Sequence, residues 1–205
     1  MGRIMPKWKP IPGETPIDDI SGLLVSGITT REQLNKIEAE NIRKVIVKYL
    51  AAKPTRRSAR FDLSWLLQLH DEMLGEVWDW AGKVRTSETN LGVPPQEIEI
   101  ALTSLLADLL YWEERNSDLI EQAAMLHHRA VQIHPFVNGN GRWARLLANI
   151  WLKLQNHQTT VWPEAKIGTT SLIREEYLVA VRAADVGDYT QLIMLQGKYS
   201  SDDKH

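Results

Sequence analysis

Apolar residues recur three and four positions apart along most of the chain, the spacing of one buried helix face. Leu34, Ile37, Ile42, Val45, Ile46 and Tyr49 keep this period behind the stretch TTRE at 29–32. Thr29 as N-cap and Glu32 three residues on fit a capping box, and Pro54 closes the segment. Leu63, Leu66, Leu69 and Met73 mark a second helix, opened by Asp62 and stopped by Gly75. A third follows Pro94 and Pro95, with Ile98, Ala101, Leu102, Leu105, Leu109 and Trp112 on one face. The pattern predicts a fourth helix over about 119–133 and a fifth from Asn140 to Leu154. After a loop at 155–170, Leu172, Tyr177, Leu178 and Val181 point inward from a further helix, and Asp188 caps a last short one.

The period breaks in two places. Residues 1–28 are rich in proline and read as an extended arm. Between the second and third helices, Val77, Trp78, Trp80, Val84 and Thr86 favour extended structure while Gly82, Asn90 and Gly92 permit turns. A short β-hairpin flap over roughly 83–93 is expected there. The class is all-α: about seven helices and one hairpin, with no internal repeat. The parts are the arm at 1–28, a first helix at 29–53, a core domain at 54–197 and a frayed tail at 198–205.

Composition narrows the function. A formal net charge of −2 does not suggest direct nucleic-acid binding. The absence of cysteine removes thiol nucleophiles and cysteine–zinc sites. No apolar run reaches the roughly 20 residues of a membrane span, and the start lacks a secretion signal, so a cytoplasmic location is expected. The eight tryptophans are best explained by core packing.

The chemistry concentrates in QIHPFVNGNGRWARLLANIWLKLQ, 132–155, where a polar, glycine-rich bend precedes a helix with a long apolar run. Gly139, Asn140 and Gly141 tolerate backbone conformations that turn successive N–H groups into one concavity. A helix starts there, so its unpaired N–H groups and positive dipole end face the same spot. Arg142 and Arg145 lie on one side of that helix and suit phosphate oxygens. Two cations at the positive end of a helix call for an anion. His134, six residues before the middle of the bend, can take a proton from an attacking hydroxyl. Asn138 offers one neutral oxygen to a metal held by the phosphates. Phe136 and Trp143 read as core. Against this, a lone histidine beside a glycine turn is more often structural, and arginines early in a helix are usually solvated.

HPFVNGNGRWAR, 134–145, closely resembles the signature of the Fic family, with one departure at Asn138, where an acid is usual. WAGKVRTSETNLG resembles the family's flap, and REEYLVAVRAADVGDYTQLI its closing helices. The branch called mobile mystery protein B is the most similar, and the resemblance spans about residues 20–196. It implies a Fic-fold helical bundle and transfer of AMP from ATP to a hydroxyl side chain of a target protein. It implies His134 as general base, and Gly139, Asn140 and Gly141 around the α- and β-phosphates. Arg142 is then expected beside those phosphates, Arg145 at the γ-phosphate and Asn138 at Mg²⁺. The flap residues Thr86, Ser87, Glu88, Thr89, Asn90 and Leu91 would align the target's Ser, Thr or Tyr. Doc-like kinases replace the second motif glycine with lysine, so Gly141 favours nucleotidyl transfer.

Many relatives carry an inhibitory helix whose glutamate pairs with the second motif arginine. Glu40 and Asn41 fit that position, with Lys36 where a hydroxyl residue is usual, so a Glu40–Arg145 pair is expected. His127 and His128 invite a metal reading with His134, but no carboxylate completes the set; one of them is expected near the motif and the other exposed. Two rival readings stay open. One is a toxin–antitoxin type module that binds a small partner or regulator, such as a helix-turn-helix protein; self-association is a separate expectation, since relatives often self-associate. The other is a pseudo-enzyme that binds nucleotide and transfers nothing, which Asn138 permits.

Overall fold

A computed structural model describes residues 22–115 and 117–200. Most of the arm at 1–28 and of the tail at 198–205 lies outside the described residues. Eight α-helices occur among the described residues: α1 (Arg31–Ile46), α2 (Leu63–Leu74), α3 (Ile98–Glu114), α4 (Leu119–Ile133), α5 (Asn140–Leu154), α6 (Glu164–Ile167), α7 (Leu172–Asp185) and α8 (Thr190–Lys198). All seven helices expected from the apolar period form. The eighth, α6, sits inside the segment read as a loop, where Ile167 and Trp162 are buried and pin the chain down. A π-helical turn, Val47–Ala51, prolongs α1.

Helix starts follow local chemistry. Asp62 accepts from the Trp65 N–H at 2.7 Å, Asp118 from those of Ile120 and Glu121, and Asp188 from that of Thr190. The capping box of α1 falls one residue later than expected. Thr30 Oγ1 accepts from the Gln33 N–H, and Gln33 Oε1 accepts from the N–H groups of Thr29 and Thr30. One amide oxygen serving two orphan donors fixes the start at Thr30 rather than Thr29.

The core is built round tryptophan. Trp65, Trp78, Trp143 and Trp151 are fully buried, and truncating any one to alanine should cost roughly 3–5 kcal/mol. Phe136 is fully buried against Trp143, as expected. A second cluster joins α7 and α8 through Tyr177, Ala180, Ala184, Leu192 and Leu195. Leu172 was expected inward but is 81% exposed. It lies five residues before Tyr177, about 140° round the helix, and so misses the buried stripe.

The hairpin expected at 83–93 is not formed. Among the described residues there are only two isolated bridges, Leu23–Trp78 and Thr160–Ser200. The two ends of the flap bond to the chain leaving α4 instead of to each other: Arg85 N–H donates to the Pro135 carbonyl at 2.9 Å and Val93 N–H to the Ile133 carbonyl at 3.3 Å. That placement lays the flap beside the turn between α4 and α5. No helix among the described residues is long and apolar enough to cross a membrane.

Candidate active site

Helix α4 ends on His134, whose φ of 51° is left-handed and therefore uncommon for a residue with a β-carbon. The turn that follows is tied by Asn140. Its Oδ1 accepts from the Phe136 N–H at 2.9 Å, and its Nδ2 donates to the Phe136 carbonyl at 2.8 Å. Gly139 then takes φ +79°, and a β-carbon there would lie 2.7 Å from Leu74. Glycine is needed both for the dihedral and for the space. Asn138 Oδ1 accepts from the Gly139 N–H at 2.5 Å.

His134 is 7% exposed. Its Nδ1 lies 3.3 Å from the Val131 carbonyl, a contact only the N–H form can make favourably. Nε2 is thereby left with the lone pair. Burial pulls the His134 pKa down to about 4; the Val131 carbonyl opposes the fall and the Arg85 charge adds to it. At neutral pH the ring is an uncharged base.

Both motif arginines reach the start of α5, and each is held by a carboxylate. Arg142 donates to Glu38 at 2.6 Å, and Glu38, only 2% exposed, also accepts from the Trp78 indole at 2.7 Å. Arg145 forks onto Glu164, with Nε at 2.7 Å and Nη2 on the second oxygen, and meets the Tyr177 hydroxyl at 3.3 Å. Burial works against the Arg145 charge, but Glu164 and Tyr177 outweigh it and hold the guanidinium firmly protonated. Its Nη1 lies 3.3 Å from where a β-carbon on Gly141 would sit, so it overhangs the first turn of α5.

The expected Glu40–Arg145 pair is not the one formed. Glu40 is 55% exposed and pairs with Arg43 on its own helix, at 2.8 and 3.0 Å. The face of α1 that packs inward carries Leu34, Glu38, Asn41 and Val45, which excludes position 40. Asn41 is buried between α1 and α2, with its Nδ2 unpartnered. One of His127 and His128 was expected near the motif and the other exposed; His127 is packed there through Tyr177, but His128 is buried as well. His127 pairs with Tyr177 at 3.0 Å and His128 with Asp185 at 2.8 Å. Thr86 to Leu91 lie mainly exposed along the flap.

Besides Glu38 and Glu164, two further residues at the site were not singled out from the sequence. His70, fully buried on α2, accepts from the Gly82 N–H at Nδ1 (3.0 Å) and faces the Asn138 carbonyl with Nε2 (3.0 Å). It stacks on Phe136 at 3.6 Å, and burial lowers its pKa to about 3. Arg85, also buried, donates to the His134 carbonyl at 2.7 Å. The only signal in the sequence was a polar residue interrupting otherwise apolar or extended stretches.

Residues 60–152 match the Fic/DOC family model. The chain carries a Fic/DOC family domain. It is 30% identical over 186 residues to protein adenylyltransferase fic-1 of Caenorhabditis briggsae, covering 88% of this chain and 34% of that protein. It is 31% identical over 149 residues to protein adenylyltransferase Fic of Drosophila virilis, covering 69% and 29%. This chain thus spans about a third of the length of the curated relatives it matches. A fragment of Fic-1 from Caenorhabditis elegans superposes with a TM-score of 0.65 at 25% identity, over 86% of this chain and 51% of that one. BepC of Bartonella tribocorum, solved with AMPPNP, gives 0.64 at 18% identity, over 87% and 91%. The matched range includes residues 134–145, the turn between α4 and α5 with the first turns of α5.

Proposed function

We propose that this Fic domain is a protein adenylyltransferase that moves AMP from ATP to a Ser, Thr or Tyr hydroxyl of a target protein. The observation that carries the reading is the placement of His134, with Nδ1 3.3 Å from a backbone carbonyl, just before a helix start opened by glycine. Nε2 takes the proton of the target hydroxyl. The oxygen attacks the α-phosphorus, the α–β bridging P–O bond breaks, and pyrophosphate leaves. Gly141, Arg142 and Arg145 neutralise and orient the phosphates, which is most of what such a transfer requires. A base of pKa about 4 is weak, but the negative charge of a bound triphosphate raises it toward neutrality.

Mg²⁺ would come with the nucleotide and offset phosphate charge. Asn138 Oδ1 fits as one oxygen ligand, although it is already bonded to the Gly139 N–H. No group of three His, Asp or Glu side chains able to hold a metal occurs among the described residues, so a resident site does not fit. The neutral Asn138 and the two occupied arginines also favour a second reading, a nucleotide-binding protein that transfers nothing.

Restraint by the N-terminal helix belongs to the same proposal, through Glu38 rather than Glu40. A phosphate must replace Glu38 on Arg142, and the displaced carboxylate is buried. Labelled ATP, CTP, GTP and UTP, each with Mg²⁺ or Mn²⁺, test the reading beside His134→Ala. Label that depends on His134 supports transfer, and binding without label supports the second reading. Glu38→Gln should raise self-labelling while Glu40→Gly should not; equal labelling by all three chains removes the restraint.

A further inference from the structure

We infer that Arg85 is a positioning residue for the transfer, tying the flap to the backbone of His134 so that base and target segment keep one register. The inference rests on the transferase reading of His134. Arg85 is 2% exposed; burial works against its charge, Glu88 supports that charge, and its direct side-chain partners are backbone carbonyls. Its guanidinium is satisfied by three carbonyls from two segments: His134 at 2.7 Å from Nε, Ser87 at 2.9 Å from Nη1, and Val93 from Nη2. Its own N–H donates to Pro135 at 2.9 Å.

A cation buried on neutral acceptors is costly unless its donors are met, and only a planar fork reaches three acceptors set at different angles. The carbonyls it gathers are those that matter for the reaction. One belongs to the base, and the other two bracket the exposed flap from Ser87 to Val93. Gly92 completes the set. A β-carbon there would sit 2.6 Å from both Arg85 Nη2 and His134 Cβ, so flap, guanidinium and histidine are in mutual contact. His134 needs such support because its left-handed φ is intrinsically unfavourable for a side-chain-bearing residue. Arg85 acts through the placement of His134 and the flap, without touching nucleotide or target.

The test uses the full chain, with Arg85→Lys, Arg85→Met and Arg85→Ala. Arg85→Lys keeps the charge and loses the fork. It should stay folded, exchange the Val93 amide proton faster than the parent, and lose kcat on the order of 10²-fold with KM for ATP unchanged. Methylguanidinium should restore part of the rate to Arg85→Ala, a recovery that a general packing defect does not show. Full kcat with parent-like exchange at Val93 in Arg85→Lys overturns the inference. So does a loss carried by KM alone, or absence of rescue in a folded Arg85→Ala. Should Arg85→Met or Arg85→Ala unfold, Arg85→Lys decides. A parent chain that labels nothing removes the transferase reading and the role in transfer with it. In that case faster exchange at Val93 still supports the tie between flap and His134, and unchanged exchange overturns that as well.

Discussion

The turn from His134 to Asn140 and the flap from Arg85 to Val93 lie against each other, but they are held differently. The turn closes on itself. Asn140 bonds both polar groups of Phe136, four residues earlier, and Asn138 bonds the next N–H along. From outside, His70 bonds the Asn138 carbonyl, Arg85 donates to the His134 and Pro135 carbonyls, and Leu74 fills the space beside Gly139. The flap has almost no internal ladder. Its ends hang on the carbonyls of Ile133 and Pro135, and its interior on one arginine. A turn tied by its own side chains is held locally. A loop held by long-range bonds can open without unfolding the domain.

The contrast can be broken most sharply from the turn. Asn140→Ala strands a buried N–H and a buried carbonyl of Phe136 and should cost about 3 kcal/mol, read as a fall in the urea midpoint at constant m-value. A loss no larger than that of a surface variant would mean the turn is not self-tied.

Acid comes next. His70 and His134 have folded pKa values of about 3 and about 4, below the value near 6.5 expected when unfolded. Between those limits the unfolded chain binds more protons, so stability is present above about pH 6.5 and falls as pH drops through the window. At pH 5 the loss should be about 2 kcal/mol for each histidine. Thermal melts from pH 7.5 to 5 measure it, and His134→Ala should make the slope shallower. A flat profile would contradict the buried neutral rings.

Gly92→Ala separates the two regions. At φ +104° and with backbone 2.9 Å away, the methyl must push the flap off His134, for about 1–3 kcal/mol. Hydrogen exchange should quicken at Val93 while Phe136 stays protected; equal quickening would show that turn and flap open as one unit. The smallest effect belongs to Glu40→Gln. Its pair with Arg43 is exposed, so the melting midpoint should not move measurably in 0.15 M salt.

What the sequence made legible follows range. Helices α1 to α5, α7 and α8 could be read because apolar spacing and caps act over a few residues. The proposed phosphate seat could be read for the same reason, since Gly139, Asn140 and Gly141 set their own conformation and Arg142 and Arg145 follow on the same helix. Even so, periodicity admitted errors of one step. Thr29 and Thr30 both suit the cap, and only Gln33 chose between them. Leu172 has the right residue type but the wrong angle.

Tertiary structure alone decided who meets whom. Which glutamate of α1 faces the motif depends on the rotation of that helix over α2, and this brings in Glu38, not Glu40. The second carboxylate, Glu164, comes from a short helix with no periodic signal of its own. The flap's partner is the chain about 40 to 50 residues away, so extended propensity at 83–93 could not say whether it pairs with itself or with Ile133 and Pro135. Local backbone preference is written in neighbouring residues. The pairing of buried charges and loop carbonyls is fixed only when packing sets the distances between them.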